Sequence, residues 1–96
     1  MEVGTLTNTA VKLRVTGVVH GVFFRASMAE QAASRGVTGW VRNMADGSVQ
    51  AFLEGEEEKV MRIVEWSKHG PPRARVDSVT VERVRPKNSR SFRIEG

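Results

Sequence analysis

From Val11 the chain alternates strictly: Val11, Leu13 and Val15 are apolar, while Lys12, Arg14 and Thr16 are polar. A period of two predicts a half-buried strand, here ending near Gly17. The period then changes. Phe24, Met28 and Ala32 recur every four residues, with Ala29 and Ala33 beside them and Gly36 directly after Arg35. That pattern predicts a helix stopped by a glycine, the residue that most readily takes the left-handed conformation at a helix C-terminus. Residues 37–43 (VTGWVRN) and 48–54 (SVQAFLE) read as strands again. The Met44-Ala45-Asp46-Gly47 segment between them contains an Asp-Gly pair suited to a tight hairpin, so these two strands are expected to pair antiparallel. Within residues 56–68, Val60, Ile63, Val64 and Ser67 share helical spacing, and Gly70-Pro71-Pro72 closes the element. Residues 76–85 predict a further strand with Val79 and Val81 on one side, and Phe92 and Ile94 mark a short last one. Residues 1–9 are polar and aperiodic and are expected to form a flexible tail, leaving 10–96 as the domain.

The predicted order is β-α-β-β-α-β followed by a small strand. This is an α+β, ferredoxin-like (split βαβ) two-layer sandwich, with two helices on one face of an antiparallel sheet. Such a fold carries many unrelated functions, so the chemistry must come from a site. At 96 residues the chain makes a single domain. With 40% hydrophobic and 27% charged residues, it matches neither a disordered chain nor a membrane-embedded one. No apolar run approaches a bilayer span, and MEVGTLTNTA has neither a basic start nor an apolar stretch of the export type. The expected location is cytoplasmic, without a membrane partner. The absence of cysteine excludes disulfides and thiol nucleophiles, and two distant histidines make a poor metal site. Neither metal nor cofactor is expected.

A formal charge of +4 raises the question of an anionic partner. The basic excess in the last third comprises Arg73, Arg75, Arg83, Arg85, Lys87, Arg90 and Arg93, many of them alternating with valines. A solvated sheet face is favoured there over a nucleic-acid patch. Glu54, Glu56, Glu57 and Glu58 crowd the expected start of the second helix, where negative charge complements the dipole. His69 suits the far end of that helix, Trp40 and Trp66 suit packing, and Asp46 suits the hairpin turn.

The segment GVVHGVFFR, residues 17–25, runs from a strand into a helix with two glycines and one arginine. Such a bend offers backbone N–H groups that no strand or helix claims, next to a helix N-terminus, and therefore suits an anion. Gly21 would let the backbone approach the ligand closely, Val22, Phe23 and Phe24 would supply amides, and Arg25 could fork onto two phosphate oxygens. The competing reading is purely structural: the glycines permit a tight connection, one phenylalanine plugs the core, and Arg25 is a surface residue. Neither the nucleotide-loop nor the dinucleotide-loop glycine pattern is present. Asn43 stands at a strand end before the hairpin, where its side chain could serve the turn or hold a water or oxyanion.

Two stretches together are more specific. GVVHGVFFR closely resembles the signature G-x-V-Q-G-V-x-F-R, and GWVRNMADGSVQAFLEG, residues 39–55, resembles G-x-V-x-N-x-x-D-G-x-V-x-x-x-x-x-G. Both signatures belong to the acylphosphatases, and the resemblance runs from about Val11 to Ile94. It implies hydrolysis of the carboxyl–phosphate bond of acyl phosphates without metal or cofactor, by a domain expected to be monomeric. Carried over by position, Arg25 corresponds to the substrate-binding arginine and Asn43 to the water-orienting asparagine. The amides from Val19 to Phe24 correspond to the phosphate cradle, where phosphate or sulfate is also expected to bind. His20 departs from the family's glutamine. Either that position contributes mainly its backbone amide, or its side chain supports the loop and the rate or pH profile differs; the first is favoured, so His20→Gln is expected to leave activity close to the parent. Two other functions fit the same fold. One is a non-catalytic module binding anions or nucleic acid. The other is a free-standing relative of the acylphosphatase-like domains that begin larger carbamoyl-transfer maturation proteins, against which the end at Gly96 and the lack of zinc-finger cysteines are counted.

Overall fold

A computed structural model describes residues 7–96. Its elements are β1 (Asn8–Val18), α1 (Phe24–Arg35), β2 (Thr38–Asn43), β3 (Val49–Glu56), α2 (Glu57–Ser67), β4 (Arg75–Val84) and β5 (Phe92–Glu95). The strands form one sheet in the order β4-β1-β3-β2-β5. β1 starts at Asn8, opposite Glu56, so residues 8 and 9 of the expected tail are paired; residues 1–6 of that tail lie outside the described residues.

Both helices pack on one face, as the periodicity predicts. Val11, Leu13 and Val15 from β1 meet Met28 and Ala32 from α1 and Val60, Ile63 and Val64 from α2 in a single buried cluster. The apolar surface removed from water there is the main force holding the two layers together. Among the described residues no helix is long and apolar enough to cross a membrane.

The expectation of an antiparallel sheet needs one correction. Four strands do pair antiparallel, but β5 runs parallel to β2, with Val41 opposite Ile94, and the sheet is mixed. The return path explains this. β4 is antiparallel to β1 and finishes at the lower end of the sheet, the end at which β1 begins. The 85–91 connection crosses that end to the far edge, so β5 starts low and runs up beside β2. Glu54 holds the crossing in place. It lies at the lower end of β3, only 6% exposed, and its carboxylate accepts the backbone N–H groups of Lys87, Asn88 and Ser89 at 3.0, 3.0 and 3.2 Å. It therefore belongs to a strand and serves a loop, and only Glu57 and Glu58 occupy the first turn of α2.

The helix-free face of the sheet carries Trp40 stacked on Phe52, ring centroids 6.4 Å apart. The Arg42 guanidinium lies 4.5 Å above Trp40, and the Lys87 ammonium sits 5.4 Å from the Phe52 ring centroid. Phe52 is 2% exposed. These rings are already capped by the protein's own cations and offer no open stacking platform for nucleic-acid bases.

Candidate active site

β1, β2 and β5 all finish at the upper end of the sheet, and the loop into α1 and the β2–β3 hairpin lie there too. The two glycines of the first bend do different jobs. Gly17 sits at a register shift against β4, and a Cβ there would stand 2.1 Å from the Arg75 carbonyl oxygen. Its role is close approach between strands. Gly21 has open space around it and a φ of 72°, and it turns the loop.

The loop itself alternates. Val19 and Val22 are buried in the core cluster, whereas His20, Gly21 and Phe23 face outward. φ is positive at Gly21 and Phe23 but not at Val22 between them; such alternation curls successive N–H groups toward one concavity, the geometry of an anion nest. Among the described residues, the N–H groups of 20–23 donate to no backbone carbonyl. α1 adds its own end: its N-cap, Phe23, makes no side-chain cap, and no acid occupies its first turn. Orphan donors and a positive dipole end thus converge on one spot.

A pocket of about 320 Å³ opens there, and Val19, Gly21, Phe23, Arg25, Asn43 and Ile94 line it. Phe24 also reaches it, although its ring belongs to the core, 5.2 Å from Trp66. Arg25 donates from Nη1 to the Gly96 backbone oxygen at 2.6 Å, which fixes the guanidinium and leaves its other N–H groups available. Asn43 ends β2, and its Oδ1 is buried without a hydrogen-bond partner. An orphaned buried acceptor is costly unless a ligand or water completes it.

Of the residues expected at the site, His20 and Val22 do not line the pocket. Val22 anchors the loop from below. The His20 ring instead reaches the hairpin, with Nε2 2.8 Å from the Ser48 carbonyl oxygen. A carbonyl can only accept, so Nε2 carries a hydrogen. The side chain therefore ties the loop to the hairpin. A glutamine carboxamide could donate to the same carbonyl, which keeps the expectation for His20→Gln.

Ser48 is the knot of this brace. Its carbonyl also accepts the Met44 N–H at 2.8 Å, and its own N–H and hydroxyl donate to Asp46 Oδ1 at 2.9 and 2.6 Å. Arg14 from β1 donates to Asp46 Oδ2 at 2.8 Å. The Ser48 hydroxyl, then the Arg14 guanidinium and the Ser48 amide, hold the Asp46 carboxyl far below the usual carboxylate range. A lowered value means that Asp46 lends its stability at neutral pH and withdraws it only in acid, below the ordinary range. Ser48 was legible only as the first residue of the strand after the hairpin turn, and Ile94 had no local signal beyond a short strand.

A larger groove, about 550 Å³, runs along the outer helix face between Arg35, Glu58, Arg62 and Glu65. It mixes both charges and lies apart from the bare amides, so it does not suit an anion.

The acylphosphatase family model matches residues 11–94. The chain is 45% identical over 84 residues to an acylphosphatase of Thermococcus kodakarensis, covering 88% of this chain and 92% of the relative. It is 44% identical over 88 residues to one of Haloquadratum walsbyi, covering 92% and 95%. Its fold is similar to the structure of an acylphosphatase from Coxiella burnetii, with a TM-score of 0.88 and 36% identity over 92% of this chain and 93% of that one. A Bacillus subtilis acylphosphatase structure gives a TM-score of 0.88 at 32% identity, over 92% and 99%.

Proposed function

This chain belongs to the acylphosphatase family and hydrolyses acyl phosphates, and we propose that it does so by in-line attack of water on phosphorus, with the phosphate held in the 19–24 loop. The observation that carries the reading is the meeting of Arg25, the Asn43 acceptor and the unclaimed loop amides around one pocket.

The leaving group is a carboxylate, a weak base that departs with its electron pair and needs no proton from a general acid. The remaining task is to place charge and water. In phosphoryl transfer, negative charge spreads over the equatorial oxygens, and donors fixed beforehand stabilise it without reorganising. The amides of residues 19–24, the α1 dipole and the free N–H groups of Arg25 fill that role. Asn43 Oδ1 accepts a hydrogen bond from the attacking water and turns its lone pair toward phosphorus, while the water's proton passes to a phosphate oxygen. The new P–O bond forms as the acyl–oxygen bond to phosphorus breaks, giving carboxylate and inorganic phosphate. Phosphate and sulfate, which carry the same oxygens, compete for the loop.

The test is hydrolysis of benzoyl phosphate by the purified protein with a chelator present, beside Arg25→Ala. Turnover in the parent and a loss of about 10³-fold in kcat/KM in the variant are expected. Turnover that needs added metal, or that persists in Arg25→Ala, would overturn the mechanism. Absence of turnover together with salt-sensitive nucleic-acid binding would favour a binding module instead.

A further inference from the structure

Phe23 and Phe24 are neighbours with opposite environments. Phe24 is 2% exposed and packs on Trp66, while Phe23 is 71% exposed. Phe23 also holds φ at 67°, one of two positive-φ positions outside glycine among the described residues. That conformation is free for glycine and strained for a side chain with a Cβ. A ring that strains its backbone and packs little of itself into the protein does not stabilise the free molecule. Its gain is to be sought in what it meets when the site is filled. Ile94 stands on the same pocket from β5, 50% exposed. Of the four large apolar side chains exposed among the described residues, these two alone line the pocket that holds Arg25 and Asn43.

We propose that Phe23 and Ile94 form an acyl-group subsite that selects acyl phosphates with apolar, ring-bearing or long-chain acyl groups. The inference rests on the phosphate occupying the 19–24 loop. With the phosphate seated there, the acyl group leaves through the pocket mouth, between a ring at the N-cap of α1 and a branched side chain on β5. Burial of apolar acyl surface against both favours such substrates over acetyl phosphate. Among the lining residues only Arg25 is charged, and the phosphate engages it. A second anionic group on the acyl chain finds no partner there, so acyl phosphates bearing a further phosphate or carboxylate are poorer substrates.

The experiment compares kcat/KM for benzoyl phosphate and for acetyl phosphate in the parent, in Phe23→Gly and in Ile94→Thr. Glycine keeps the left-handed backbone at 23 and threonine keeps a strand-forming side chain at 94, so both variants retain the fold, checked by thermal denaturation. The ratio of the two specificity constants cancels any change common to both substrates. It is expected to fall about five- to tenfold in Phe23→Gly and about threefold in Ile94→Thr, mainly through KM for benzoyl phosphate. A ratio unchanged in both variants, with both substrates still hydrolysed, overturns the subsite and leaves the acylphosphatase reading intact. A folded parent that hydrolyses neither substrate overturns that reading and the subsite with it.

Discussion

The N-termini of α1 and α2 lie at opposite ends of the sheet and are finished in opposite ways. At α2 the chain completes its own helix: Glu57 and Glu58 occupy the first turn, and the Glu57 N–H donates to the Thr7 carbonyl at 2.8 Å. Glu57 is itself paired with Arg83 at 3.0 Å. Neither N-cap residue makes a side-chain cap, but at α1 the first turn has no acid and the loop before it leaves its amides unclaimed. The dipole is the same physical object in both places. What distinguishes them is that the sequence supplies the negative charge itself at α2 and supplies none at α1, where the proposed mechanism assigns that role to the substrate phosphate.

The comparison is broken most severely by removing what α1 has and α2 lacks. Asn43→Ala deletes the acceptor facing the α1 end, and kcat is expected to fall about 10²- to 10³-fold with little change in KM; steady-state kinetics showing parental kcat would remove Asn43 from the mechanism. A smaller effect comes from making α1 resemble α2. Ala26 is exposed in the first turn of α1 and touches the pocket, so Ala26→Glu places a carboxylate beside the proposed phosphate position. Competitive inhibition by inorganic phosphate is expected to weaken about tenfold while thermal stability holds or rises. The smallest effect is the reverse exchange. Glu57→Gln at α2 is expected to cost about 0.5–1 kcal/mol in denaturant unfolding and to leave phosphate inhibition as it was.

The elements were legible wherever side-chain period and burial agree. The alternation from Val11 to Val15 and the spacing of Phe24, Met28 and Ala32 correspond to β1 and α1 because each apolar stripe meets the same core. The start of β1 was not legible. Asn8 and Thr9 pair with Glu56 and Gly55, and backbone pairing leaves no mark on the polar pattern. The direction of β5 depends on where β4 ends and on a buried carboxylate 33 residues from the amide it holds, which no local window contains. The role of Glu54 was hidden for the same reason: its strand position was legible, but its neighbours in sequence are the acids of α2, whereas its partners are Lys87, Asn88 and Ser89. At the site, Arg25, Asn43 and the loop stood out because their chemistry is carried by two short stretches. The parts that steady them, His20 on Ser48 and Arg25 on Gly96, join residues 28 and 71 positions apart, and only the fold brings them together.

The parallel edge strand also has a kinetic meaning. β5 is four residues long and hydrogen-bonds to β2 alone within the sheet, yet the backbone oxygen that steadies Arg25 lies just beyond its end. Short edge segments open at a fraction of the free energy of global unfolding. Release of this strand frees the guanidinium while β1, β3 and β4 stay paired. Heat or denaturant should therefore silence the enzyme before it unfolds it, with activity lost ahead of the circular-dichroism transition and the amides of β5 exchanging with solvent well before those of β1.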